Sequence, residues 1–368
     1  MITSDICYVV SAIIMTTILI GVGGSIRVRE STNNACLFIL ESTKNGWNGH
    51  EFLKGTNPTS LAFDPLSSNR AYYGTLSNGL WKTDDGGQTW SNIGRDVISS
   101  PYVTSVAVSS LNPNSSNRVN KVYAGTEPSE FYISNDAGDS WIRMEALKKL
   151  PSSKSWSFPP KPDTHHIRWI EPDANNPDYV FAAIEAGALV QSHDGGRTWI
   201  DRNKQGPYDT HTLVTHPKAP GRLYSSAGDG YFESFDYGDS WTSPMEGLRH
   251  SYLFSVDVDP GDPQIVIVSA AEGPGNAYLP ENAETYVYRK DEDGKKWKAI
   301  SNGLPEPEGT TITNIVANPK TKGEFYAVNN RGLFLSNDSG ISWRKVDIQW
   351  PKEYLSQTPW ALAIGNSS

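Results

Sequence analysis

Ser192-His193-Asp194-Gly195-Gly196-Arg197-Thr198-Trp199 is one copy of a pattern that recurs along the whole chain, and its reading decides the fold. The same order of Ser/Thr, Asp, Gly, Ser/Thr and Trp occurs at Thr83, Asp85, Gly87, Thr89 and Trp90, and again at Ser134, Asp136, Gly138, Ser140 and Trp141. It returns from Ser234 through Asp236 to Trp241 and from Ser336 through Asp338 to Trp343. A degraded copy runs from Lys290 to Trp297, with Glu292 in the Asp position and Lys296 replacing the hydroxyl. Successive tryptophans stand 51, 58, 42, 56 and 46 residues apart, a period that marks an array of repeated units.

Within one copy, an Asp carboxylate accepts hydrogen bonds from backbone N–H groups a few residues on, and the following Gly supplies positive φ without steric cost, so the stretch closes a tight turn. Apolar, alternating residues flank it, as in Gly332-Leu333-Phe334-Leu335, and read as strands. The Trp ring covers the turn and sets the spacing between neighbouring hairpins.

On these residues the pattern resembles the Asp-box (BNR) repeat of sialidases, sortilin-type receptors, xyloglucanases and photosystem II assembly-factor-like propellers. The resemblance implies an all-β propeller, with the boxes on the blade periphery and away from any active site. It specifies architecture and is nearly silent on chemistry.

Each unit has a second landmark, an apolar strand ending in a polar residue plus Pro, followed by another apolar strand. Leu61 to Pro65 with Ala71 to Thr75 opens the first unit, and Ile167 to Pro172 with Tyr179 to Ala183 opens the third. Six full blades follow, the last from Ile315 to Trp343. Trp360 to Ile364 reads as an inner strand without successors, and residues 16–42 as three strands without an inner one, with no recognisable box around Ser31 to Asn34. Joined, they make a seventh blade that closes the ring and leaves no open edge. Seven blades are therefore expected rather than six, with residues 15–368 as a single propeller domain after an apolar extension, 1–14.

The 368 residues carry a net charge of −9 and no basic run, which argues against a nucleic-acid partner. Twelve Trp and 17 Tyr suit a β architecture and also carbohydrate or protein binding. Cys7 and Cys36 are too few for a disulfide framework, so a reducing, cytoplasmic setting is expected. Ile6 to Gly24 is almost uninterrupted apolar sequence, but Asp5 and the lack of Lys or Arg before it are wrong for a secretory signal. Read as an anchor, it would place Arg27 and Arg29 on the cytosolic side and leave the chain membrane-bound. Thr16 to Val22, however, resembles the second strand of other blades, with Met15 as a start, and is expected to be a strand. A monomer is expected.

Two insertions interrupt the rhythm. Residues 144–164, with Lys148, Lys149, Trp156 and Phe158, connect blade two to blade three, and residues 272–285, with Tyr278, lie between the second and third strands of blade five. By propeller connectivity both emerge opposite the boxes.

Four of seven histidines fall at the entrances of inner strands on that same face: His165 and His166, His211, and His250. Asp163-Thr164-His165 and Asp209-Thr210-His211 repeat one tripeptide, and Arg249 precedes His250. With Arg168 and Arg331 they form the expected ligand-binding set. Glu127, Glu185 and Glu272 end second strands on this face and, with His166 and His211, are the candidates for acid–base catalysis; Asp229 and Asn330 occupy comparable positions. No cofactor is expected, although His166, His211 and His250 would be the ligands if a divalent metal were bound. The competing reading makes Asp-Thr-His a repeat-encoded structural element. His193, inside a box, and His216, before Pro217, are read as structural, and His50 as isolated.

Sialidase residues cannot be carried over. Ser25-Ile26-Arg27-Val28-Arg29 lacks the proline of the Arg-Ile-Pro motif, and Arg168, Arg249 and Arg331 do not match an arginine triad. A xyloglucanase-like assignment would ask for two facing propellers, and sortilin-type receptors carry ten blades with cysteine-rich modules. The resemblance is nearest to single-propeller, glycosyl hydrolase-like BNR-repeat proteins. The leading expectation is a binding propeller working through the channel mouth. A glycoside hydrolase or lyase acting there, and an assembly scaffold using the two insertions, are the alternatives.

Overall fold

The computed structural model describes residues 16–23, 34–111, 120–290 and 295–366. Seven antiparallel sheets form a seven-bladed propeller. Blades one, two, five and six have four strands in simple meander order, with inner strands at Asn57–Asp64, Val103–Val108, Tyr252–Val258 and Asn314–Ala317. Blades three and four have three strands each, with inner strands at Ile167–Pro172 and Thr210–Thr215. In both, the outer strand is reduced to one bridge, Gln191 with Ile200 and Glu233 with Thr242.

The seventh blade joins the two ends of the described chain. Pro359–Asn366 is its inner strand and pairs with Thr16–Val22, which pairs with Cys36–Thr43. Its outer strand is Gly46–Phe52, so the three N-terminal strands extend beyond the expected 16–42. The turn that takes the place of a box is Thr43 to Gly46; Ser31 to Asn33, where the box is expected, lie outside the described residues. The turn is closed by Thr43 Oγ1, which accepts from Asn45 N and donates to Gly46 O. His50 lies on this outer strand. Cys7, Arg27, Arg29, Glu292 and the apolar stretch before residue 16 lie outside the described residues. Among the described residues no helix is long and apolar enough to cross a membrane.

The repeated turn has one geometry. In the copy at Ser192, the Ser192 hydroxyl donates to Asp194 Oδ1 (2.8 Å) and accepts from Gly196 N (2.8 Å), while Asp194 accepts from Thr198 N and Thr198 Oγ1 (2.8 and 2.6 Å). The copies at Thr83, Ser134, Ser234 and Ser336 repeat these bonds. In those four the Trp indole N–H also donates to the carbonyl of the box glycine. Trp199 instead sets its ring edge-on to Phe131 of blade two (4.9 Å). Trp297, in the degraded copy, donates to Pro244 O, and Lys296 reaches Glu246 across the surface.

The last box glycine is required for two reasons. Its φ is positive in every intact copy, from +79° to +98°. Its Cα also rests against a neighbouring blade: a Cβ on Gly340 would stand 2.1 Å from Ile267 Cδ1, and one on Gly138 2.9 Å from Ile93 Cδ1. The turn therefore docks each blade on the one before it. Tyr72 adds to this by donating across to Ala137 O (2.8 Å).

Around the channel the inner strands are tied by side chains that reach the next blade's backbone. Thr59 donates to Val103 O, Thr104 to Ile167 O, Thr212 to Phe254 O and Asn314 to Pro359 O. Glu171 accepts from Thr215 N and Asp257 from Ala317 N. Near their entrances most inner strands carry a bulge, where the pairing register skips one residue: Thr59, Thr104, Arg168, His211, Phe254 and Trp360. A bulge re-aims a side chain that strict alternation would bury in the sheet. These residues thus line one ring at the channel mouth.

Candidate site at the channel mouth

Strand register fixes which face carries the site. Thr210, where the blade-four inner strand begins, pairs with Ala227, and Ala227 pairs with Gly230, whereas the box starts at Ser234 at the far end of that third strand. Asp209 and His211 therefore lie at the opposite end of the blade from the repeated turns.

Blades two, three and four bring seven charged or ionisable side chains together there. Glu185 is central. It follows the second strand of blade three and its N–H bonds to His166 O, extending the ladder by one residue. Its Oε2 accepts from His166 Nε2 at 2.7 Å and lies 3.7 Å from Arg168 Nε. Its Oε1 faces His211 Nε2 at 3.9 Å, and that nitrogen is 3.7 Å from Asp209 Oδ2. His166 Nδ1 faces Glu127 Oε2 at 3.7 Å, and Lys161 Nζ closes the chain on Glu127 at 2.8 Å. His166, His211, Glu127, Arg168 and Glu185 are buried, Lys161 keeps 12% of its side chain exposed, and Asp209, at 24%, is the member most open to solvent.

The electrostatics follow from this packing. Burial alone would raise the Glu185 carboxyl, but the charge and hydrogen bond of His166, with the charges of His211 and Arg168, hold it down at about 2. Asp209 moves the other way: burial and the neighbouring charges of Glu185 and Asp229 raise it against the pull of His211. Gly228 makes room for Asp209, because a Cβ there would stand 2.1 Å from Asp209 Oδ2. Asp209 Oδ1 accepts from Ala186 N (2.7 Å), and Asp229, an exposed residue, accepts from the N–H groups of Tyr208 and Asp209.

The two insertions pack inward beside the mouth instead of forming a rim. Leu147, Leu150 and Trp156 join the core of blades two and three, and Phe158 packs edge-on against His166 (4.8 Å). Lys161, which no sequence motif marks, is carried to Glu127 by this same segment. On the far side, Tyr278 stacks on Trp360 (5.1 Å), is hydrogen-bonded to Tyr252, and meets Phe254 edge-on. Arg168 lies over the Phe254 ring at 5.0 Å.

Of the residues singled out in sequence, Glu127, His166, Arg168, Glu185, Asp209 and His211 are brought together. His165 is adjacent but turns aside to Ser129 Oγ (2.8 Å) and the Trp156 ring. His250 does not join, because it stacks on Tyr286 (4.0 Å) and bonds to Tyr288 (2.6 Å) within its own blade. Exposed Arg249 and Glu272 accompany it. Arg331 holds Glu308 O, and Asn330 ties Thr311, Gly309 and Leu355 together. A shared His166–His211–His250 metal set is therefore not formed; among the described residues the group with metal-ligand spacing is Glu185, Asp209 and His211. His216 bonds to Asp259 O and Lys218 N, and His193 stacks on Tyr179.

No family model matches the chain. It is 25% identical over 259 residues to the xyloglucanase Xgh74A of Acetivibrio thermocellus, covering 65% of this chain and 25% of that protein. It is 24% identical over 274 residues to the oligoxyloglucan-reducing end-specific xyloglucanase of Emericella nidulans, covering 71% of this chain and 29% of that protein. The chain thus spans about a quarter of the length of the curated relatives it matches. In structure it is similar to the GH74 enzyme of Niastella koreensis, with TM-score 0.63, 16% identity and coverage of 88% of this chain and 54% of that one. It is likewise similar to YCF48 bound to D1 peptide, with TM-score 0.57, 17% identity and coverage of 85% and 94%. At these identities the structural likeness is one of fold.

Proposed function

We propose that this propeller is a binding protein of the Asp-box type that takes a carbohydrate at the channel mouth, with Asp209 and Arg168 as its polar contacts. The observation that carries the reading is the convergence of buried ionisable groups from three blades beside Asp209, whose carboxylate is part-exposed at the mouth. Tying neighbouring blades together needs no charge, since Thr59 and Thr104 do it with hydroxyls at the equivalent bulge positions. Tyr278, the part-exposed ring of the aromatic group beside Arg168, suits a sugar face. The names of the xyloglucanase relatives make xyloglucan the first ligand to test. A protein scaffold is less favoured, because Trp156 and Phe158 are buried and offer no apolar rim.

A second reading, glycoside hydrolysis, is favoured by one distance. Oxygens of Glu185 and Asp209 lie within 4.8 Å, close to the separation of about 5–5.5 Å in retaining glycosidases. Calorimetry with xyloglucan and cello-oligosaccharides tests the first reading. Asp209→Asn and Arg168→Gln should each weaken binding by about tenfold or more, and binding that is absent or unchanged in both variants overturns it. Release of reducing ends by the wild type, lost in Asp209→Asn, would move the assignment to the second.

A further inference from the structure

His211 differs from its equivalents around the ring. Thr59 and Thr104 use their one hydroxyl to reach the next blade's carbonyl, and His211 does the same with Nδ1, which donates to Leu253 O at 2.6 Å. A carbonyl only accepts, so Nδ1 carries a proton and the second nitrogen is left over. That nitrogen, Nε2, is buried, has no hydrogen-bond partner, and is aimed between two carboxylates. A buried ring nitrogen without a hydrogen-bond partner, set between two carboxylates, is costly unless something fills the gap.

The gap has the dimensions of a cation. Nε2 stands 3.7 Å from Asp209 Oδ2 and 3.9 Å from Glu185 Oε1, and the three donor atoms lie within 4.8 Å of one another. These separations are too long for direct hydrogen bonds. Ligands at about 2.0–2.2 Å around one tetrahedral ion stand about 3.3–3.6 Å apart, so small rotations would bring the three into place. The carboxylate of Asp209 is the part-exposed and adjustable member.

The surroundings have the form of an outer ligand shell. A metal-binding imidazole is usually fixed by a hydrogen bond from its other nitrogen, which the Leu253 carbonyl supplies. Ligating carboxylates are usually oriented the same way. Glu185 is held through Oε2 by His166 and flanked by Arg168, which leaves Oε1 turned to the gap, and Asp209 is held through Oδ1 by Ala186 N. We propose that Glu185, Asp209 and His211 form a site for one divalent first-row cation, Zn²⁺ or Mn²⁺, with its remaining positions open towards the mouth. One imidazole favours these ions over Ca²⁺ and Mg²⁺, and two carboxylates balance the charge.

This site shares its residues with the binding reading above and extends it, since open coordination positions would accept ligand hydroxyls. The test separates the two. Protein stripped with a chelator is titrated with ZnCl₂ or MnCl₂ alone by calorimetry, and metal content after dialysis is measured by mass spectrometry. One equivalent is expected, with a rise in Tm and, for Co²⁺ as a probe, visible ligand-field bands. Asp209→Asn should weaken the site by about tenfold or more, and His211→Ala by about 100-fold; His250→Ala, off the mouth, should leave it unchanged. Because His211→Ala also removes a tie between blades, Asp209→Asn alone decides if that variant does not fold. No stoichiometric binding by the wild type, or equal binding by Asp209→Asn, overturns the metal site. Oligosaccharide binding that persists in chelator would then leave the binding reading standing alone, whereas metal uptake without sugar binding would do the reverse.

Discussion

The Nδ1–H of His211 donates to the carbonyl of Leu253, in the next blade, at 2.6 Å. The same imidazole separates the carboxylates of Glu185 and Asp209. Its removal in chelator-treated protein leaves a buried carbonyl unpaired and two carboxylates facing each other. His211→Ala should therefore cost about 1–3 kcal/mol by urea unfolding. Part of that loss is like-charge repulsion, so a double-mutant cycle with Asp209→Asn should return a non-zero coupling. Strict additivity would mean that the carboxylates do not sense His211.

The box glycine supplies a sharper test of how blades dock. Gly340→Ala places a Cβ at φ +79° and 2.1 Å from Ile267 Cδ1, so it combines backbone strain with a clash. Gly55→Ala, at φ +82° with nothing within 4 Å, carries strain alone. The first should destabilise by about 2–4 kcal/mol and the second by about 1 kcal/mol. Ile267→Val, which deletes the clashing methyl, should recover part of the loss in Gly340→Ala and nothing in Gly55→Ala. Equal losses in the two glycine variants would sink the docking account.

The blade count and the face of the site were legible in sequence because both follow from local rules. The Asp, Gly and Trp spacing encodes a turn whose hydrogen bonds close within seven residues, and strand alternation carries that end of the blade to its opposite. Asp209-Thr210-His211 could be placed at the mouth for the same reason. Side-chain aim was not legible, because it depends on contacts remote in sequence. His211 and His250 look alike as strand entrances, yet a bulge turns one into the mouth, while Tyr286 and Tyr288 draw the other onto the sheet. Lys161 reaches Glu127 only because residues 144–164 fold inward on Leu147, Leu150 and Trp156. The short Thr43 to Gly46 turn is not legible as a box because it keeps only the opening Thr and a Gly, with Asn45 where the Asp would stand.

Acid should loosen the rear of the propeller. Burial is the largest single influence on Asp136, Asp194 and Asp338 and raises them, while the hydroxyls of Thr89 and Ser240 lead at Asp85 and Asp236; in all five the hydrogen bonds from Ser and Thr hydroxyls and backbone N–H groups together outweigh burial and hold the carboxyl below its ordinary range. A depressed folded value means stability that is present above about pH 4 and lost as pH falls through the folded values. These groups are largely solvent-exposed, so each contribution is small and the sum is what is measured. The urea midpoint should drop between pH 4 and pH 2, and Asp194→Asn should reduce the slope while sparing any binding at the mouth. A variant that loses mouth binding at neutral pH would contradict the separation of the two faces.

Glu171 and Asp257 give the opposite slope at higher pH. They project from inner strands into the channel, where burial pushes their carboxyls up to about 8 and about 7 despite hydrogen bonds from Thr215 and Ala317. Channel water still reaches both, which tempers the effect. A raised folded value means that the native state holds a proton the unfolded chain has released, so the contribution is complete below about pH 4 and disappears as pH rises through 7 and 8. Stability should fall by on the order of 1–3 kcal/mol between pH 5 and pH 9. Glu171→Gln keeps a carbonyl to accept from Thr215 N and carries no titrating proton, so it should flatten the profile above pH 6 without lowering stability at pH 5. An unchanged slope in Glu171→Gln and in Asp257→Asn would show that the channel solvates these carboxylates as well as bulk water does.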